Sequence, residues 1–370
     1  MKFSLPYLYR LLFPFSILLF LLSCQQQSPI KIGLSINLSG RGGAAGEHIR
    51  DGVLLAVDEI NNDGGINGRP LELLIRDDQN NDAGVKKADE SLVEEGVVAI
   101  IGHSYSSNTL KAYPFVTSHD TLLITAYTAT TELSGRDDMF FRTSVDCTLY
   151  GKKMAALLKK NVQSVVFLMD MTNAAFVKDY ANSVKDHFSG TIREVQFESR
   201  EPADWTSIID ELLSSQPDAI VLLTEASMTG VALQKLKAAG YGGDTIGSIW
   251  TQTPGLMRHA GNSAEGLSLV TFIDPDNNLP AFRDFSKQIK ERFHKNATAR
   301  STRAYEIVMI LADALRRSAH INSTELKKAL LAGRYNTLMG QLKFDQYGDV
   351  VRPVYEVIVQ GKQFRNNGEI

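Results

Sequence analysis

From residue 30 onward the chain alternates between two hydrophobic rhythms. Residues 71–76, 97–102 and 122–125 are runs rich in Val, Ile and Leu, and residues 30–38 carry Ile or Leu at every second position. Between them Ile49, Val53, Val57 and Ile60, then Val85, Ala88 and Leu92, recur at helical spacing. Strands that are apolar on both sides belong in a parallel sheet covered by helices on both faces. The alternation therefore predicts a doubly wound α/β unit. The pattern then restarts, with strands at 164–169, 192–197, 219–224 and 245–249 and helices at 150–160, 177–188, 207–214 and 228–239. One loop is common to both halves. The run 98–102 leads into Ser104-Tyr105-Ser106-Ser107 and a helix, and the run 218–223 leads into Thr224-Glu225-Ala226-Ser227 and a helix. Each is a buried strand ending in a hydroxyl-rich loop at a helix N-terminus. Any two α/β domains share some of this, so a true internal repeat and chance similarity both stay open.

The remainder does not form a third unit. Residues 267–272 read as a strand, and helices follow at 282–293, 302–319 and 324–331. Residues 341–344 and 354–359 bracket Asp345-Gln346-Tyr347-Gly348-Asp349, which reads as a terminal β-hairpin. No Pro- or Gly-rich linker separates the halves, so the chain is expected to pass between two lobes more than once, its later helices returning to the first.

The N-terminus breaks the pattern. Lys2 and Arg10 flank a basic start, residues 11–22 are almost unbroken apolar chain, and Ser23-Cys24 follows. The run is too short to span a bilayer comfortably and suits the apolar region of a signal peptide. Its ending resembles the bacterial lipobox, which implies cleavage before Cys24 and acylation of that cysteine. The only other cysteine is Cys147. With Cys24 acylated no intrachain disulfide is possible, and a chain of 370 residues must rely on its cores. The net charge of −3 and the lack of a basic stripe argue against nucleic acid as a partner.

Catalytic chemistry finds little support. The seven histidines are scattered and none lies in HExxH or a Cys/His cluster, so no metal site is expected; no GxSxG elbow or P-loop occurs either. Gly40-Arg41-Gly42-Gly43-Ala44-Ala45-Gly46 sits between a strand and a helix but lacks the GxGxxG spacing, and the acidic pair Asp77-Asp78 lies too far on. An exported NAD(P)-binding oxidoreductase is thus the weaker alternative; no cofactor is expected. Asp78, Asn80 and Asp82 alternate as in a calcium loop, but Ala83 stands where that loop needs glycine. The loop Ser104–Asn108 carries the better signal, because hydroxyls and free N–H groups at a helix start can receive a small anion. Simple helix capping is the competing reading.

Several stretches together resemble the leucine/isoleucine/valine-binding family of type I periplasmic binding proteins. They are Ile30-Lys31-Ile32-Gly33, Leu38-Ser39-Gly40, Ala56-Val57-Asp58-Glu59-Ile60-Asn61, Gly64-Gly65-Ile66-Asn67-Gly68-Arg69, Asp77-Asp78, Ile101-Gly102-His103, Thr131-Glu132-Leu133, Phe140-Phe141-Arg142, Ala264-Glu265-Gly266 and Phe344-Asp345. The resemblance covers nearly all of the chain beyond the leader. It implies two doubly wound parallel-sheet lobes joined by a three-crossover hinge, closing on a small solute that is handed to an ABC permease. It implies too that Ser106, with Tyr105 and Ser107 beside it, receives the ligand carboxylate. Tyr127, Thr128 and Ala129 match the next ligand loop, with Ala129 where the family has threonine. The family's acidic residue after the strand 245–249 has no counterpart: Ile249-Trp250-Thr251 stands there. Glu225, one strand away, is the candidate replacement to hold a ligand ammonium, and a solvated Glu at a helix start is the alternative.

The expectations are therefore a signal peptide at 1–23, a lipidated tether at 24–29, a first lobe of 30–143 plus 273–338, and a second of 144–272 plus 339–365. The chain is expected to be a solute-binding lipoprotein of an ABC importer, not an enzyme. It would hold an amino acid or related small carboxylate between its lobes and a lipid bilayer through acylated Cys24. A ligand-sensing receptor for a membrane kinase or chemoreceptor would look alike in sequence.

Overall fold

The computed structural model describes residues 28–40, 42–158 and 162–370. The leader at 1–23 and Cys24 lie outside the described residues. The first half runs β1 (Ile30–Ile36), α1 (Gly43–Asn62), β2 (Leu71–Asp77), α2 (Asp82–Glu94), β3 (Ala99–Gly102), α3 (Ser106–Ser118), β4 (Leu122–Thr125) and β5 (Phe140–Arg142). Its five strands are all parallel, in the order β2-β1-β3-β4-β5.

The second half runs α4 (Cys147–Leu158), β6 (Ser164–Asp170), α5 (Ala174–His187), β7 (Thr191–Phe197), α6 (Trp205–Leu213), β8 (Ala219–Leu223), α7 (Ala226–Ala238), β9 (Asp244–Ser248), α8 (Pro254–Ala260) and β10 (Ser268–Thr271). These strands pair in parallel in the order β7-β6-β8-β9-β10, the same plan as the first sheet. Apolar residues alternate between its faces as the pleat requires. Phe167 and Val221 meet Val177 and Tyr180 on one face, and Leu168 and Ile220 meet Leu233 and Leu236 on the other.

The chain then returns. Helices α9 (Pro280–Phe293), α10 (Ala299–Arg317) and α11 (Ser323–Ala332) join the core of the first sheet, where Phe285, Val308, Leu311 and Leu326 pack with Ile32, Leu34 and Ile124. Helix α10 lies so close to α1 that a Cβ at Gly52 would stand 2.3 Å from the carbonyl oxygen of Ser301. That glycine sets where the first turn of α10 sits.

A short hairpin, β11 (Tyr335–Thr337) and β12 (Gly340–Leu342), follows, and β13 (Tyr355–Gln360), antiparallel to β10, and β14 (Gln363–Glu369), antiparallel to β13, complete the second sheet. The chain thus passes between the two sheets three times, after β5, after β10 and before β13.

The terminal hairpin differs from the sequence expectation. Residues 345–349 do not join it; β13 and β14 turn at Gly361-Lys362, both at positive φ, as a two-residue hairpin turn requires. The Asp345–Asp349 turn is instead held to the first sheet. Asp349 Oδ1 lies 2.7 Å from Nε of the buried Arg142, Gly348 O accepts from the Arg142 amide, and Phe344 packs edge-on to Phe141 at 5.2 Å. This charged anchor is what diverts the segment, so 339–350 sits with the first sheet rather than the second.

Candidate functional site

In doubly wound sheets the C-terminal strand ends and the helix starts beyond them face one crevice. Here both sheets turn those ends toward each other, and two cavities lie between them. The larger, about 120 Å³, is lined by Ser39, Asn80 and Tyr105 from the first half and by Asp170, Glu225 and Trp250 from the second. The smaller, about 20 Å³, has Ser104, Tyr127 and Arg300 on one side and Asn173, Phe176 and Trp250 on the other. Trp250 lines both. A cavity of about 570 Å³ opens elsewhere, among α1, α9, α10 and β11, and receives nothing from the second half. Several of its polar groups already have partners, such as Glu59 with Tyr305 at 2.7 Å and Glu306 with Arg352 at 2.6 Å.

The two loops singled out in the sequence are built alike. Thr109 Oγ1 meets Thr128 Oγ1 at 2.6 Å and donates to Tyr105 O; Thr229 Oγ1 meets Thr251 Oγ1 at 3.1 Å and donates to Thr224 O. One helix hydroxyl thus ties each loop to the loop after the next strand. Tyr105 and Glu225 occupy equivalent places before their helices, and both face the larger cavity.

Tyr105 sits edge-on to Trp250, with ring centroids 5.7 Å apart, and Phe176 meets Trp250 at 6.1 Å. Burial pushes the Tyr105 phenol up to about 12, against a lowering influence from Arg300 and with a raising one from Glu225, so this ring feels charges from both sides of the crevice. Gly42 makes room for it. At φ +89° it adopts a backbone shape that favours glycine, and a Cβ there would stand 2.4 Å from the Tyr105 hydroxyl.

The expected ligand residues divide. Tyr105, Glu225, Trp250, Tyr127 and Ala129 line the cavities. Ser106, Ser107 and Thr128 do not. Ser106 is fully buried, and its Oγ accepts from the amide of Ala129 at 3.1 Å. Thr128 is held by Thr109. Ser107 joins the halves: its amide donates to Asn173 Oδ1 and its Oγ accepts from the Ala175 amide, each at 3.1 Å. Thr131 Oγ1 with Asp179, and Arg200 with the carbonyl of Asn80, also cross between the halves. Glu225 caps α7, its Oε2 accepting from the Ser227 amide at 2.9 Å, while also facing the cavity. Both readings of this residue therefore have a geometric basis.

The calcium-like alternation does not converge. Asp78 accepts from the Asn80 amide and holds the His103 ring at 3.1 Å, and Asp82 pairs outward with Lys111.

Sequence reasoning missed three polar groups, Asp170, Arg300 and Arg303. Asp170, at the C-terminal end of β6, is fully buried; its Oδ1 accepts from Thr172 and from the Ser199 amide, and its Oδ2 has no hydrogen-bond partner among the described residues. The rule that ligands meet strand C-termini could have flagged it. Ser104, which belongs to the loop the sequence singled out, is buried with its Oγ likewise unpartnered among the described residues. Arg300 and Arg303 enter from the first turns of α10, which a Thr298–Ser301 capping box closes. Arg303 lies over Tyr127 at 4.5 Å and donates to Ala126 O, and burial pushes its guanidinium down to about 10. Their spacing on a helix gave no signal, since basic residues three apart read as an exposed face.

Two sheets of one strand order, three crossings and cavities between opposed strand ends define a type I periplasmic binding fold. The chain belongs to the periplasmic binding protein family, whose model matches residues 29–363. It is 24% identical over 328 residues to the leucine-, isoleucine-, valine-, threonine- and alanine-binding protein of Pseudomonas aeruginosa, covering 87% of each chain. Among solved structures it is similar to a leucine-binding protein of Thermotoga maritima, with a TM-score of 0.84 and 21% identity over 92% of this chain and 98% of that one. A solute-binding protein of an R. palustris ABC transporter in complex with benzoate gives a TM-score of 0.82 at 18% identity, over 92% and 96% of the two chains. At these identities the structural likenesses establish the fold.

Proposed function

We propose that this protein is the extracytoplasmic solute receptor of an ABC importer, holding an amino acid or related small carboxylate between its two halves and passing it to a membrane permease. The observation that carries the reading is the pair of cavities that share Trp250, lined from both sheets at their strand C-termini and edged by buried polar atoms with no partner among the described residues. Unsatisfied buried polar groups are costly, and a polar solute would satisfy them. The moving bodies are residues 30–143 with 273–350, and 144–272 with the strands β13 and β14. Cys24 is the lipidated N-terminus that keeps the receptor at the membrane. The chain has no catalytic role in this reading. The relatives' ligands, which are leucine, isoleucine, valine, threonine and alanine in one case and benzoate in the other, mark the range of solutes to try first.

Native mass spectrometry of the purified protein tests it. The expected result is a bound mass of small-solute size that is lost on unfolding and regained on refolding with that solute, together with a fall in radius of gyration by X-ray scattering. A protein that turns over its bound molecule, or binds none from a broad solute panel, would overturn the reading.

A further inference from the structure

We propose that Arg300 is the residue that receives the anionic group of the solute, in the small cavity it shares with Ser104 and Trp250. The proposal rests on the receptor reading above and deepens it by naming what selects the ligand.

Arg300 is 3% exposed, and no ion pair among the described residues includes it; its Nε has no hydrogen-bond partner there either. It stands in the first turn of α10, where the helix dipole disfavours a cation, and Arg303 adds a second positive charge nearby. A guanidinium held in this way against burial, dipole and like charge calls for an anion. Two other donors around the same cavity lack partners among the described residues: Trp250 Nε1, on a residue 6% exposed, and Ser104 Oγ, on one 7% exposed. Three unpartnered donors from both halves therefore edge one space.

That space, about 20 Å³, is large enough for one water-sized group, such as a carboxylate oxygen. The body of the solute would lie in the larger cavity, whose lining includes Asp170 and Glu225. Ser106, with its Oγ committed to the Ala129 amide, is not needed for this contact. Arginine also suits the task by geometry, since its planar fork matches a carboxylate through two parallel hydrogen bonds.

The test uses protein stripped of solute by unfolding and refolding, with Trp250 fluorescence read in a Trp205→Phe background. It is titrated with L-leucine, L-phenylalanine, benzoate and 4-hydroxybenzoate, and with the amide of each. The expected result is that an acid binds and its amide binds at least about thirty-fold more weakly, the range of charge-assisted hydrogen bonds. Arg300→Met should weaken the acid to a similar extent and erase the acid-over-amide preference, while Arg300→Lys recovers part of both at an unchanged melting temperature. Equal binding of acid and amide, or normal acid binding by Arg300→Met, overturns the assignment. If none of the eight binds, native mass spectrometry decides. An anionic bound solute supports Arg300, and a neutral or cationic one overturns it while leaving the receptor reading intact. The absence of any bound solute overturns both.

Discussion

The amide of Ser107 donates to Asn173 Oδ1 across 3.1 Å, joining the start of α3 in one half to the start of α5 in the other. The Ser107 hydroxyl completes the junction by accepting from the Ala175 amide. These contacts favour the arrangement in which the halves are together, in addition to the place Asn173 has in the wall of the smaller cavity. Each hydrogen bond contributes about 0.5–1.5 kcal/mol. Asn173→Ala should therefore shift the solute-free equilibrium toward the open form about five-fold and weaken solute binding to match. X-ray scattering should give a larger solute-free radius of gyration and an unchanged solute-bound one.

A second prediction concerns the hinge. Arg352, on the third crossing, pairs with Glu306 of α10 at 2.6 Å, both side chains almost fully buried, and its guanidinium lies 5.4 Å from the ring centroid of Phe272 on the second crossing. Removing one partner leaves the other charge buried and alone, which costs about 3–5 kcal/mol. Arg352→Met should lower the urea midpoint accordingly. Pairing it with Glu306→Leu should recover most of the loss.

Glu225→Gln separates capping from solute contact. Glutamine can still accept from the Ser227 amide, so the solute-free melting temperature should change little, consistent with a surface dipole contribution below about 1 kcal/mol. If the solute carries an ammonium against Glu225, calorimetry should give a loss of at least about a hundred-fold, because an unpaired buried charge costs about 3–5 kcal/mol. Unchanged affinity would leave Glu225 as a helix cap alone.

Asp77 gives a pH dependence. Burial on its own would raise its carboxyl, but hydrogen bonds from Ser39, Leu38 and Gln79 outweigh that and hold it below the ordinary 3.8. Its contribution to stability is therefore complete above that value and is lost as the pH falls through the lower folded value. Asp77→Asn should be less stable than wild type at neutral pH and should lose less stability on acidification below about pH 4, as followed by circular dichroism.

For the anchor, Cys24→Ala should abolish palmitate labelling and cleavage before residue 24, and release the protein from membranes. One acyl chain alone binds a bilayer only marginally, so singly acylated protein should also wash off readily. Continued labelling of the alanine variant would place the anchor elsewhere.

The strands were legible because their physics is local. The apolar runs at 122–125 and 164–169 coincide with β4 and β6 to within a residue, and the restart of the pattern marked the second sheet. The terminal hairpin was misplaced because Asp349 answers to Arg142, more than two hundred residues away, which no local pattern reports. The site divided in the same way. Tyr105, Glu225 and Trp250 follow strands and announced themselves by position, whereas Ser106 and Thr128 sit in the right loops with their hydroxyls turned into the framework. Arg300 was invisible, because it reaches the crevice from a helix that only the returning chain and the close contact at Gly52 put there.

The shared strand order has a consequence for how ligand preference can change. The loops after β3 and β8 are two castings of one plan, each tied down by a threonine on its helix, with Tyr105 in one and Glu225 in the other at the same place. The ties are made by Thr109 and Thr229, so the path of each loop does not rest on the residue just before its helix alone, even where that residue, as Glu225 does, also caps the helix. In the proposed receptor each face of the crevice can thus change at one residue while the ties that hold its loop stay the same.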